Sequence, residues 1–307
     1  MSQSPDSMPQ AVQRIAVIGT GISGMSAAWL LAQRHQVTVY EKDDRLGGHT
    51  NTVDVEHGGG RFPVDTGFIV YNERNYPNLV ALFDHLGVAT RPTDMSFGAS
   101  LDDGRFEYSG SGIGGLLAQP ANLLQPRMWA MLRDLLRFYH SAPSVLGSPD
   151  SAPVTLGDYL KSHGYGDAFV RDHLLPMGAA IWSTPTREMQ DYPLEAFLRF
   201  CRNHGLLSLR GRPLWRTVTD GSRAYLDRLT ASFRDRVRLN TAVRTVRRLP
   251  GRVLVEDRQG DVAHYDQVVI ATHADQALAM LADADAAERR LLGRFRYERN
   301  LAVLHSD

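Results

Sequence analysis

Residues 15–50, IAVIGTGISGMSAAWLLAQRHQVTVYEKDDRLGGHT, decide the fold. A short apolar strand, RIAVI at 14–18, runs into Gly19-x-Gly21-x-x-Gly24. A helix follows over 23–34, starting near Ser23 and carrying apolar Met25, Ala28, Trp29 and Leu31. Residues 36–41, QVTVYE, read as a second strand. Strand, glycine turn, helix and strand make a βαβ start, whose parallel strands are usually buried on both faces. Each glycine has a physical role. Gly19 makes the tight turn, Gly21 lets backbone approach a pyrophosphate, and Gly24 lets helix and strand pack closely. The helix start offers unpaired N–H groups and a partial positive charge to the anion. Glu41 ends the second strand, where a carboxylate can accept hydrogen bonds from ribose hydroxyls. A tight turn with no ligand would use the same glycines. It is the ordered set that points to a dinucleotide. A second glycine turn, Arg45-Leu46-Gly47-Gly48, follows at once, and taken alone it reads as a loop leaving a strand.

The rest of the chain narrows the class. With 307 residues, 43% of them hydrophobic, it can bury a core for two domains or one large α/β unit. A formal net charge of +0 gives no long-range field toward nucleic acid or an anionic membrane. Lys42 and Lys161 are the only lysines, so Schiff-base chemistry has two candidates. The single cysteine, Cys201, excludes an intramolecular disulfide and a zinc ribbon, and reads as a small buried hydrophobe. The eleven histidines show no HExxH or similar spacing, so no metal is expected. The polar N-terminus is no signal peptide, and no apolar run is long enough to span a bilayer. A cytoplasmic protein is expected.

Farther along, residues 1–11 read as a disordered leader. Residues 52–70 form a hairpin about Gly58-Gly59-Gly60, 75–87 a helix, and 93–108 two short strands about Asp103-Gly104. SGSGIGG at 109–115 reads as a hinge, and 116–200 as mostly helical with proline punctuation. Strand signals return after Trp215. A helix is expected over 222–233, strands over 237–249, 252–257 and 262–272, and helical structure over 275–295. The order is α/β, then helical, then β-rich. It predicts one domain, 12–110 and 216–307, split by a helical insertion, 111–215. In RMWAMLRDLLRFYH (127–140), Met128, Met131, Leu132, Leu135 and Phe138 recur at helical spacing between arginines. Such a helix packs on a core or rests on a membrane surface, so peripheral membrane contact stays open. Trp182, Tyr192, Phe197, Phe200 and Trp215 suit either an apolar substrate pocket or ordinary packing. His57-Gly58-Gly59-Gly60 looks like a lipase oxyanion motif, but the chain has no GxSxG elbow, so a hairpin turn is the reading.

Glu41-Lys42-Asp43-Asp44-Arg45-Leu46-Gly47-Gly48-His49-Thr50 resembles the flavoprotein superfamily of amine oxidases, protoporphyrinogen oxidases and phytoene desaturases. Within it the chain looks most like the bacterial NAD/FAD-binding oxidoreductases. VDTGFIVYNERNYPNL (64–79), IWS (181–183), DGSRAYLDRL (220–229), VRLNTAVRTV (237–246) and DQVVIAT (266–272) extend the resemblance over nearly the whole chain. It implies an α/β fold: a glutathione-reductase-like, Rossmann-type FAD/NAD(P)-binding domain split by a mostly helical substrate domain. It also implies FAD as cofactor. Gly19, Gly21, Ile22, Ser23 and Gly24 would then contact phosphate, and Glu41 and Lys42 would flank the adenosine ribose. Gly47, Gly48 and His49 would approach the ribityl chain, and Thr66, Gly67 and Phe68 would face the isoalloxazine ring. Val243 would meet the adenine, and Ala271 would end the strand behind the pyrophosphate. Asp65 reads as a turn cap or a purely structural residue. No catalytic acid or base is assigned; His49, Tyr71 and Trp182 are candidates by position. The implied reaction moves a hydride to flavin from a C–H bond of a small amine or an apolar, lipid- or isoprenoid-like substrate. Two alternatives stay open: an NAD(P)-dependent enzyme, and a non-catalytic dinucleotide-binding fragment. Family members continue past the position of Asp307 and return to the FAD domain, so the resemblance implies a C-terminally truncated chain.

Overall fold

The computed structural model describes residues 11–110, 112–146, 154–208, 211–297, 299, 301, 303 and 304. The described residues fall into two compact units. One draws on Met1–Ile69, Asn78–Arg91 and Thr217–Asp307, the other on Val70–Pro77 and Pro92–Arg216.

The first unit is built on β1 (Arg14–Ile18), α1 (Ile22–Ala32) and β2 (Gln36–Tyr40). β1 is central and parallel to both neighbours. Val17 lies opposite Val39 on one side and Val269 of strand Gln267–Ile270 on the other. Ala16 and Val17 are fully buried, as a strand covered on both faces must be. α1 buries Gly24, Met25 and Ala28. Strands β3 (Thr52–His57) and β4 (Gly60–Asp65) form the expected hairpin, with Thr52 opposite Asp65.

Two expected strands each prove to be two. In 237–249, Val237–Arg238 joins the parallel sheet beside β2. The chain then turns at Asn240, which is left-handed at φ 53°, and Val243–Leu249 opens a separate antiparallel sheet. Arg252–Asp257 and Val262–Tyr265 complete that sheet. In 262–272 the switch falls at Asp266. Its N–H donates to the Arg14 carbonyl (2.8 Å) and its carboxylate accepts from the Arg14 N–H (2.7 Å). The chain thereby leaves the antiparallel sheet and enters the parallel one as Gln267–Ile270. The two sheets share a core in which Ala16, Ile18 and Tyr40 meet Val243, Val246, Val255 and Tyr265. Helices Ala274–Met280 and Ala286–Leu292 follow, the second held by a reciprocal capping box of Asp285 and Glu288.

In the second unit a hairpin of Gly98–Leu101 and Phe106–Ser109 turns through Asp102, Asp103 and Gly104, all with positive φ. Helices Pro126–Ser141, Leu156–Ser162, Leu175–Trp182 and Leu194–Asn203 surround a core that includes Phe138, Phe169, Leu174, Phe197 and Cys201. Met128, Met131 and Phe138 are buried, so one face of the 127–140 segment does pack on a core. Tyr71–Asn72 pairs antiparallel with Trp215 and Arg216. The expected hinge carries a helical turn at Ile113–Leu116, and its residue 111 lies outside the described residues, as does the leader up to residue 10. No helix among the described residues is long and apolar enough to cross a membrane. The described residues show no group of three metal-ligating side chains.

Candidate functional site

The site is built at the C-terminal edge of β1, where three turns converge. A Cβ placed on Gly24 would land on the Gly19 carbonyl oxygen, and one on Gly19 would stand 2.7 Å from the Ala271 oxygen. These contacts press helix, turn and the end of strand Gln267–Ile270 into one layer, fixed by the Ala271 N–H donating to Ile18 O (2.8 Å). Gly21 is different: a Cβ there meets no protein atom within 4 Å. The packing of the protein itself therefore does not demand a glycine at 21, whereas close approach of another molecule's backbone-sized group would. The first bond of the α1 ladder runs from Met25 N–H to Gly21 O (2.9 Å). The N–H groups of Ile22, Ser23 and Gly24 lie ahead of it, with no acidic side chain in the first turn.

The second glycine turn touches the first. A Cβ on Gly48 would lie 3.3 Å from Gly21 Cα. Gly47, at φ 111°, donates its N–H to Thr20 O (3.1 Å) and to Thr20 Oγ1 (3.2 Å). Glu41 joins both turns. Its Oε2 accepts from the Thr20 N–H (3.1 Å) and the Thr20 hydroxyl, and its Oε1 from the Asp43 N–H (3.0 Å). The side chain is buried at 7% exposure. A carboxylate offers about four lone-pair sites, so three donors leave about one for a further donor. Thr20 went unseen in the sequence because it occupies a variable position of the glycine pattern. Arg45 secures the second turn from outside, donating to Gly48 O at 3.1 Å.

The third turn locks onto the second. Phe68 N–H donates to His49 O (2.8 Å), and a Cβ on Gly67 would collide with that same oxygen. Thr66 N–H donates to Asn51 O (2.9 Å). Asp65 proves to be an anchor: it accepts from Ser222 N–H (2.9 Å), Ser222 Oγ (2.7 Å) and Thr52 Oγ1 (2.6 Å). It thereby ties the hairpin to helix Arg223–Thr230. Phe68 stands edge-on to Tyr225, whose buried hydroxyl bonds Thr50.

At the other end, Thr241 N–H donates to Glu41 O (2.7 Å), which sets buried Val243 close to the end of β2, while Lys42 is exposed. His49 is exposed and stacks on His273 at 5.9 Å, and His273 stacks on Tyr297 at 4.2 Å. His273 follows the strand-end pattern with nothing in the sequence to mark it.

Tyr71 and Trp182 belong to the second unit. Tyr71 is a buried strand residue. Trp182 ends its helix packed on Phe200 (4.7 Å), Tyr192 (5.1 Å) and Phe197 (5.4 Å). The same unit holds a histidine the sequence did not single out. His173 lies in a π-helical stretch, Val170–Leu174, and burial pushes its imidazole down from 6.5 to about 4. Tyr108 donates to the Asp172 carbonyl (2.7 Å), so the contact of its oxygen with His173 Nδ1 (3.0 Å) takes the Nδ1 proton. Nε2 is buried without a hydrogen-bond partner. Cys201 is buried, its thiol pushed up to about 12, and is no nucleophile.

A parallel sheet whose first strand enters a helix through such a glycine turn defines the dinucleotide-binding class of α/β proteins. The chain belongs to the flavin containing amine oxidoreductases, whose sequence profile matches residues 22–297, and the cofactor of that family is FAD. Among solved structures it is similar in fold to cyclohexylamine oxidase from Brevibacterium oxydans IH-35A, with TM-score 0.70 and 22% identity, covering 92% of this chain and 63% of that one. A single-residue mutant of putrescine oxidase gives TM-score 0.65 and 18% identity over the same shares of the two chains. A 4,4'-diapophytoene desaturase from Staphylococcus aureus is 32% identical over 104 residues, 27% of this chain and 20% of the desaturase. The chain thus spans under two thirds of the length of these relatives.

Proposed function

We propose that this chain carries the FAD-binding core and the substrate unit of an oxidoreductase acting on a C–H bond beside an amine or within an apolar, lipid- or isoprenoid-like skeleton. The observation that carries the reading is the junction of the two glycine turns. Gly21 faces open space, Gly48 abuts it, and the free N–H groups of the α1 start lie alongside. An extended dinucleotide fits such a junction. Gly19, Gly21, Ile22, Ser23 and Gly24 would hold its pyrophosphate, since helix-start N–H groups stabilise an anion. Glu41 and Lys42 would flank the ribose, Val243 the adenine, and Ala271 would back the phosphates. Gly47, Gly48 and His49 would line the path to the ring, with Thr66, Gly67 and Phe68 against it. When bound, the flavin supplies the hydride acceptor. The protein's share is to hold the substrate carbon in place and keep water away. The neighbours' names, two amine oxidases and a 4,4'-diapophytoene desaturase, support the two substrate classes.

The test is the visible absorption spectrum of the purified chain, with chromatography of whatever denaturation releases. Bound FAD supports the reading. A colourless protein that takes up nicotinamide dinucleotides but not added FAD would overturn it.

A further inference from the structure

The helix Pro126–Ser141 has a second face that the cofactor reading does not use. Met128, Met131 and Phe138 point into the core, but Trp129 and Leu136 are 56% and 52% exposed. They stand seven residues apart, with Arg133 between them, so the three share one side of the helix over two turns. The turn that leads into the helix adds Leu124, 88% exposed, and Leu123. The Trp129 indole N–H donates to the Leu123 carbonyl at 2.9 Å, which ties this loop to the exposed side of the helix. Isolated exposed leucines need no explanation, but a tryptophan and three leucines in one patch do.

Basic residues outnumber acidic ones along this segment. Residues 112–146 contain Arg127, Arg133 and Arg137 against a single acid, Asp134. Arg127 is engaged by Asp172 (2.7 Å) and Asp102 (2.5 Å). Arg133 and Arg137 must share Asp134, at 3.3 and 3.7 Å, and that carboxylate is almost fully buried. The solvent side of the helix therefore carries surplus positive charge beside exposed apolar groups. That pairing complements an anionic lipid surface, where apolar tips enter the acyl boundary, an indole sits at headgroup depth and arginines meet phosphates. A protein partner with an apolar face would not call for the arginines.

We infer that the face of Leu123, Leu124, Trp129, Arg133 and Leu136 rests on the surface of an anionic lipid bilayer. The chain lies on the membrane through this patch and does not cross it.

Co-sedimentation of the full chain with lipid vesicles tests this without reference to activity or cofactor. Vesicles of phosphatidylcholine and phosphatidylglycerol in equal parts are expected to bind at least about fivefold more protein than phosphatidylcholine alone, since each surface arginine contributes a factor of that order. The preference shrinks as salt rises. Leu124→Asp with Trp129→Asp is expected to cut binding to the mixed vesicles at least about tenfold, because two apolar anchors become charged. Arg133→Gln keeps the apolar anchors and is expected to lose about fivefold, on the anionic vesicles only. These side chains are exposed, so thermal melts by circular dichroism should match the parent and show that the variants fold. Three outcomes overturn the inference: no binding to either vesicle, binding that the double variant leaves unchanged, or self-association in sedimentation velocity that the double variant abolishes without any lipid dependence.

Discussion

At the scale of single residues, Gly21 and Gly24 separate the demands of folding from those of binding. A methyl group on Gly24 collides with the Gly19 carbonyl, whereas one on Gly21 meets no protein atom. Gly24→Ala is therefore expected to lower stability by about 1 to 3 kcal/mol, the usual cost of overpacking, and to lose FAD with it. Gly21→Ala is expected to melt as the parent does without cofactor, yet to purify without the flavin absorption. Melting curves and visible spectra of the two variants check this, and equal behaviour would place the cofactor elsewhere. His173 gives a pH signature. Its imidazole titrates near 4 when folded and near 6.5 when unfolded, so the unfolded chain binds the extra proton between those values. Stability is then full above about pH 6.5 and falls as pH drops toward 4, by about 3 kcal/mol in all at 1.36 kcal/mol per unit. Urea unfolding across that window should show the slope, and His173→Gln should flatten it. If the slope persists unchanged in the variant, another group is responsible. Gly19, Gly21, Gly24 and Glu41 were readable in the sequence because their residue types recur at a fixed spacing between a strand, a helix and a second strand. Thr20 and His273 were not, because their roles come from what lies across the turn and leave no mark on local pattern.

At the scale of elements, the opening βαβ unit and the glycine hairpin were legible because period and punctuation agreed. The stretches 237–249 and 262–272 were not. A strand that changes sheets keeps its alternation of side chains, so nothing in the apolar pattern marks the change. What marks it in three dimensions is a single residue each time: Asn240 in left-handed backbone, and Asp266 bonded on both sides to Arg14. Asn240 is one of the few side chains that enter that conformation readily. Asn240→Val is expected to cost about 1 to 2 kcal/mol, while Asn240→Gly should be close to neutral. Chemical denaturation of the pair measures the difference. Comparable stability of the two variants would mean that the backbone at this switch relaxes. The π-helical stretch around His173 was likewise unreadable, since insertion of one residue in a helical turn leaves the apolar spacing almost intact.

At the scale of the whole molecule, a cofactor held across the two glycine turns, as proposed, would bind the folded state and not the unfolded one. Free FAD at about a hundred times its dissociation constant should therefore raise stability by about 2.7 kcal/mol. A thermal midpoint that does not move with added FAD would argue against the junction as its site. Arg14 and Asp266, which join the first strand to its last neighbour, are 252 residues apart in the sequence. Synthesis proceeds at roughly 5 to 20 residues per second, so on the ribosome β1 waits roughly 10 to 50 seconds for the strand that closes its second edge. During that time the intervening segments are the only material at hand, and an apolar strand with an open edge is a template for pairing with the wrong chain. One five-residue strand thus keeps an open edge on the ribosome until its partner, 252 residues later, has been made.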